Sequence, residues 1–138
     1  MPRDSYALNR QGYLQWRNRL PGFHAVNAVE LLSEAGCTRE TIERVRQAVG
    51  KLAHKQNPDT QLLEDVAVLV FVEYYMLCLA DRHREYTEAR WIGIIHKIWL
   101  KLCGRARRFL LGGGIRIPAP LLPLIEKAVV QAERGASP

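Results

Sequence analysis

Seven side chains are the first candidates for chemistry. They are His24, His54, His83 and His96, together with Glu64, Asp65 and Glu73. Imidazole and carboxylate together form a donor set suited to zinc, manganese or iron, or to acid–base work. No tight ligand motif holds them, neither His-x-x-x-His nor an adjacent His-Asp pair. The competing reading makes the histidines separate surface or interhelix residues. The carboxylates also resist a shared role. On an ideal helix of 3.6 residues per turn, Asp65 and Glu73 stand about 80° apart, and Glu64 and Asp65 about 100° apart. One helix cannot aim all three at one ion. A structural acidic cluster of Glu64, Asp65 and Glu73, paired with Arg17, Arg44 or Lys51, is the plainer expectation.

A second candidate is basic. Arg105-Ala-Arg107-Arg108 precedes Gly112-Gly113-Gly114. Arginine forks and glycine-rich turns both bind anions, so Arg105, Arg107 and Arg108 are candidate ligand contacts. The pattern matches neither a phosphate-binding loop nor a dinucleotide fingerprint. The competing reading is a solvated helix end followed by a flexible loop. Net charge of +6 permits nucleic-acid binding, but no recognition motif indicates it. Trp16, Trp91 and Trp99 fall at core-like spacings. No Ser/His/Asp or Cys/His nucleophile arrangement is visible, so the catalytic residues are unknown.

These groups need elements to position them. The 138 residues fit one domain, read here as a single helical domain over 1–138 with flexible ends at 1–8 and 135–138. With 48% hydrophobic and 25% charged residues, the composition is that of a folded globular chain rather than a disordered one. Cys37, Cys78 and Cys103 are odd in number and far apart, which predicts neither a disulfide framework nor a zinc knuckle. Cys78 and Cys103 lie in apolar surroundings and read as core residues. The N-terminus lacks a signal-peptide run, and the longest apolar run, Val66–Val72, is far short of a ~20-residue span. The expectation is a cytoplasmic protein with no membrane partner.

Charge is distributed unevenly. Residues 57–81 contain five Asp/Glu and no Lys/Arg, whereas 82–116 contain nine Lys/Arg and two Asp/Glu. The acidic segment is also the most apolar. Carboxylates there need partners, because an unpaired buried charge is costly.

Periodicity predicts helices throughout. Arg10–Leu20 is the first, punctuated by Pro21-Gly22, and Phe23–Ala35 the second, closed by Gly36. Thr38 caps a third that ends near His54–Gln56. Asn57-Pro58-Asp59 reads as a turn, with Asp59 or Thr60 capping a long helix over 61–80. That helix is apolar nearly all round and belongs at the centre of a bundle. Thr87 caps a fifth helix to about Cys103, closed by Gly104, and Arg105–Leu111 forms a short one. Pro118 and Pro120 lead a last helix to about Arg134, with Pro123 in its first turn. The fold class is all-α, a single compact bundle of about five to seven helices around 61–80.

Several blocks together carry a resemblance. They are Gly12-Tyr13-Leu14-x-Trp16-Arg17, Phe23-His24-Ala25 and Leu32-x-x-Ala35-Gly36. Asn57-Pro58-Asp59-x-Gln61-x-Leu63-Glu64-Asp65-Val66 runs on into Leu69–Glu73. His83, Lys97-x-Trp99-x-Lys101 and Ile117-Pro118 follow. Over about residues 3–130 the chain resembles the bacterial family catalogued as domain of unknown function 4202. The Gln-x-Leu-Glu-Asp block is its most specific part. That family supplies no activity to carry over.

Its helix order in turn looks like that of HD-domain phosphohydrolases, with Ala35-Gly36, His54 and the Leu63-Glu64-Asp65 helix in analogous places. This more distant likeness implies a metal site of His24, His54 and Asp65, with Glu73 as a further ligand, holding one or two divalent ions. The absent His-Asp pair departs from that pattern. So does Lys97-Ile98-Trp99-Leu100-Lys101-Leu102, which is less polar than the family's Lys-Thr-Trp-x-Lys-Met. The chain starts just before the Gly-Tyr-Leu block and so reads as a shortened or degenerate member.

Two functions follow as expectations. One is a non-catalytic module that binds a protein partner or a small anionic ligand. The other is an HD-like metal-dependent phosphohydrolase, in which bound divalent ions would activate water.

Overall fold

The computed structural model describes residues 1–52 and 56–135. All regular structure among them is helical, so the all-α class is the observed one. The chain divides into two units, Met1–Leu63 and Glu64–Pro138.

In the first unit, helix α1 spans Arg10–Glu34 and packs against α2, Arg39–Val49. Two helices broken at Pro21-Gly22 were expected over this stretch. The structure instead carries one helix straight through Pro21. Proline removes one ladder hydrogen bond and costs about 3 kcal/mol in a helix interior. Packing against α2 offsets that cost. The crossing uses small residues: Ala25 and Ala48 are buried, and a Cβ on Gly50 would sit 3.4 Å from that of Ala25.

The helix ends follow local chemistry. Asn9 accepts from the Gly12 amide at 2.8 Å, and a Cβ on Gly12 would collide with the Ala7 backbone. At the other end, Gly36 takes φ +72°, while the Cys37 and Gly36 amides donate to Leu32 and Ser33 carbonyls. That is a Schellman closure, as the sequence indicated. Thr38 caps α2 by accepting from the Thr41 amide. However, α2 stops at Val49 rather than near His54–Gln56. Lys51 adopts φ +56°, and the Lys51 and Leu52 amides close the same kind of motif onto the Ala48 and Gln47 carbonyls. His54 lies outside the described residues. Within residues 1–8, Arg3 donates to the Tyr6 and Ala7 carbonyls, and Trp16 on α1 donates to the Met1 carbonyl.

Helix α3 spans Pro58–Val70 and starts three residues earlier than expected. Asn57, not Asp59 or Thr60, is the cap: its side chain accepts from the amides of both. Pro58 then occupies the first helical position, where a missing N–H costs nothing. Asp59 is left to form a two-pronged pair with Arg44, both contacts at 2.8 Å. Thr60, almost fully buried, donates to the Leu52 carbonyl at 3.0 Å.

The helix continues through a π turn at Phe71–Tyr75, closed by the Met76 amide on the Phe71 carbonyl, into α4, Met76–Arg82. Its burial is one-sided rather than all round. Val68, Val72 and Met76 are buried, whereas Val66, Val70, Tyr74 and Tyr75 are exposed.

The second unit completes itself with α5 (Glu88–Trp99), α6 (Gly104–Leu111) and α7 (Leu122–Arg134). Thr87 caps α5 through the Arg90 amide, and Pro123 falls in the first turn of α7, as expected. Gly104 does not end α5; it begins α6, whose cap is the Cys103 sulfur accepting from Ala106. One apolar cluster joins Val72, Met76, Trp91, Ile95, Trp99 and Leu121 with their neighbours. Trp91 and Trp99 are core residues as expected, but Cys78 is exposed and Cys103 half-buried. The apolar run around Cys78 lies on a helix with an open side, which is why apolar neighbours misjudged it.

Met76 is fully buried at the centre of this cluster. Met76→Ala should lower the stability of the second unit by about 2–5 kcal/mol, read as a lower thermal midpoint by near-ultraviolet circular dichroism. On α2, hydrogen bonds from Arg46 and Gln47 hold the Glu43 carboxyl down to about 2, from an ordinary 4.5. A lowered carboxyl stabilises above its ordinary value, and that contribution fades as pH falls through about 2. Carboxyl NMR should therefore place the Glu43 midpoint near 2, and Arg46→Ala should return it toward the ordinary range.

Candidate functional site

The two acidic residues of the most specific block reach the turn between α5 and α6. Glu64, 8% exposed, accepts from the Lys101 ammonium at 2.6 Å. Asp65, 6% exposed, accepts from the Cys103 backbone amide at 2.9 Å. Cys103 precedes α6, so Asp65 satisfies a backbone donor at that helix's start, where a negative charge also meets the favourable end of the helix dipole. Adjacent residues on one helix point about 100° apart, and here that divergence places one on a side-chain cation and its neighbour on a main-chain amide.

Glu73 serves a third segment. Its Oε1 accepts from the Arg116 amide at 3.1 Å, holding the extended stretch after the three glycines. The π turn at 71–75 shifts its phase from that of an ideal α-helix.

Arg44, one of the anticipated cations, pairs with Asp59 within the first unit, and Lys101 pairs with Glu64. Lys101 and the Cys103 amide are partners of these carboxylates that charge alone did not reveal; the one sequence feature near that turn is the Lys97-x-Trp99-x-Lys101 spacing.

The histidines have local surroundings. His24 is exposed on α1, with its ring edge-on to Phe23 at 5.8 Å. His83 stacks on Tyr86 at 4.6 Å and meets Glu85 at 2.9 Å, a contact that lowers the Glu85 carboxyl from its ordinary value. His96 is half-buried on α5. Among the described residues, no group of three His, Cys, Asp or Glu side chains gathers as a cation site. Asp65 meets the Cys103 backbone amide, and His54 lies outside the described residues.

The three arginines separate into two roles. Arg107 lies over the Trp99 ring, 5.2 Å from its centroid, and donates to the Trp99 carbonyl at 3.2 Å. Arg105 and Arg108 are exposed and, among the described residues, have no hydrogen-bond or ion-pair partner. The Arg108 guanidinium folds back toward Gly104, 3.6 Å from where a Cβ would stand. Residues 97–116 carry six Lys/Arg and no Asp/Glu. The face around α6 is therefore strongly cationic.

Fold and site define an all-helical protein whose characteristic acidic pair is turned inward onto its own chain. It belongs to the family described as domain of unknown function 4202, whose model matches residues 1–125. No curated protein and no solved structure matches it.

Truncating Asp65 strands the Cys103 amide, a loss worth about 1–3 kcal/mol. Asp65→Ala should lower the thermal midpoint accordingly, while Asp65→Asn, which keeps an acceptor oxygen, should lose less. An Asp65→Asn protein that melts like the wild type but loses a bound divalent ion would make Asp65 a metal ligand instead.

Proposed function

We propose that the chain is a non-catalytic binding module that takes an anionic partner on the cationic face around α6. The observation that carries this reading is the pairing pattern. Asp65 and Glu64 hold the α5–α6 turn, while Arg105 and Arg108 project from the next helix with no partner among the described residues. Exposed guanidinium groups offer forked donors suited to phosphate or carboxylate oxygens. Arg107 belongs to the scaffold through Trp99 rather than to the contact surface.

The HD-like phosphohydrolase reading asks Asp65 to coordinate a metal ion. The Cys103 amide on that carboxylate favours the scaffold role. Metal content of protein purified without chelator discriminates the two: stoichiometric divalent metal supports the hydrolase.

Titration calorimetry with inorganic polyphosphate tests the binding face. Exchanging Arg105 and Arg108 together for alanine should weaken binding at least tenfold, ~1.4 kcal/mol, with an unchanged thermal midpoint. Arg107→Ala should lower the midpoint. Unaltered affinity in the double variant would remove this assignment.

A further inference from the structure

The cationic face also presents an aromatic ring, and its backbone surroundings fix it. Phe109 follows Arg105 and Arg108 on α6 at the spacing that puts all three on one side of a helix. Its ring is 52% exposed although Phe109 belongs to a helix whose other side, Ala106 and Leu110, is buried. The ring is not loose. Gly114 lies against it so closely that a Cβ there would stand 2.5–2.6 Å from three ring atoms, and the Gly114 amide donates to the Phe109 carbonyl at 2.8 Å. Two residues on, exposed Arg116 is anchored through its amide to Glu73, and Tyr74, 65% exposed, follows Glu73 in the π turn. Within the second unit, exposed Arg116 thus follows Gly114, which supports the Phe109 ring, by two residues.

We infer that this face docks single-stranded nucleic acid, with Phe109 stacking a base and Arg105, Arg108 and Arg116 contacting phosphates. The inference rests on the anion-binding reading above and names its partner class. Charged grooves with interleaved aromatic side chains are the general means of holding unpaired strands, because every base has a flat face. A duplex keeps its bases stacked on one another and gains nothing from the ring. A membrane needs an apolar helix face to insert, and the apolar side of α6 is already in the core. An acidic peptide would use the arginines but gain little from a ring supported on one side.

Fluorescence anisotropy with labelled oligothymidylate and oligouridylate of ~16 nucleotides tests this on the full chain. The strands should bind at low salt, more tightly than a duplex of equal length. Phe109→Ala and Phe109→Leu should each weaken binding roughly tenfold, and Phe109→Trp should retain it. Gly114→Ala, which must displace the ring, should also weaken it. Circular dichroism should be unchanged in all four. Replacing Arg105 and Arg108 together by alanine should reduce the salt slope by about 1.4, at ~0.7 per phosphate contact.

The inference fails if the strands do not bind, or if Phe109→Leu binds like the wild type. It also fails if poly-glutamate or phosphatidylserine vesicles bind more tightly than the strands. Polyphosphate binding through Arg105 and Arg108 that persists in any of those cases leaves the anion-binding reading standing. Loss of polyphosphate binding as well removes both.

Discussion

The second unit depends on a buried acceptor meeting a backbone donor that neither helix satisfies. The Cys103 amide sits where α5 has ended and α6 has not begun, so no helical carbonyl can take it. Asp65 supplies the acceptor from a different helix, and Glu64 beside it fixes Lys101 in the same turn. Carboxylates this well buried are costly unless paired or hydrogen-bonded, and the turn is costly unless its donors are met. Each need meets the other. The result sets where α6 starts, and with it where Arg105, Arg108 and Phe109 face.

The same economy recurs at Glu73, which takes the Arg116 amide and so steadies the stretch after Gly112-Gly113-Gly114. Three carboxylates on one long helix thus organise two segments that have little regular structure of their own. In the first unit, Asn57, Asp59 and Thr60 do comparable work toward α2. Residues 57–65 therefore hold a series of anchoring side chains: Asn57, Asp59, Thr60, Glu64 and Asp65. Arg107, over the Trp99 ring, extends the scaffold to the middle of α6, whose Ala106 and Leu110 lie in the core.

Much of the fold was legible because its signals are local. Thr38, Thr87, Gly36 and Pro123 mark helix ends through chemistry confined to a few residues, and the structure uses each accordingly. Pro21 and Lys51 misled for the opposite reason. The packing of α1 on α2 sustains a helix through a proline, and a Schellman closure takes a lysine into a conformation usually left to glycine. Apolar count alone also overstated the burial of 61–80, since a helix can be apolar on a face that stays exposed. For the site, angular spacing separated the three carboxylates but could not name partners about forty residues away, a matter of tertiary structure. The exposed, supported ring of Phe109 had no sequence signal beyond the glycines that follow it.

Asp65 accepts from the Cys103 amide, and hydrogen exchange at that one amide tests this anchor most directly. Slow exchange is expected in the wild-type protein, lost in Asp65→Ala while the amides of α5 keep their protection, and insensitive to added divalent metal. Rapid exchange of the Cys103 amide in the wild type, or protection that appears only with metal, would contradict it.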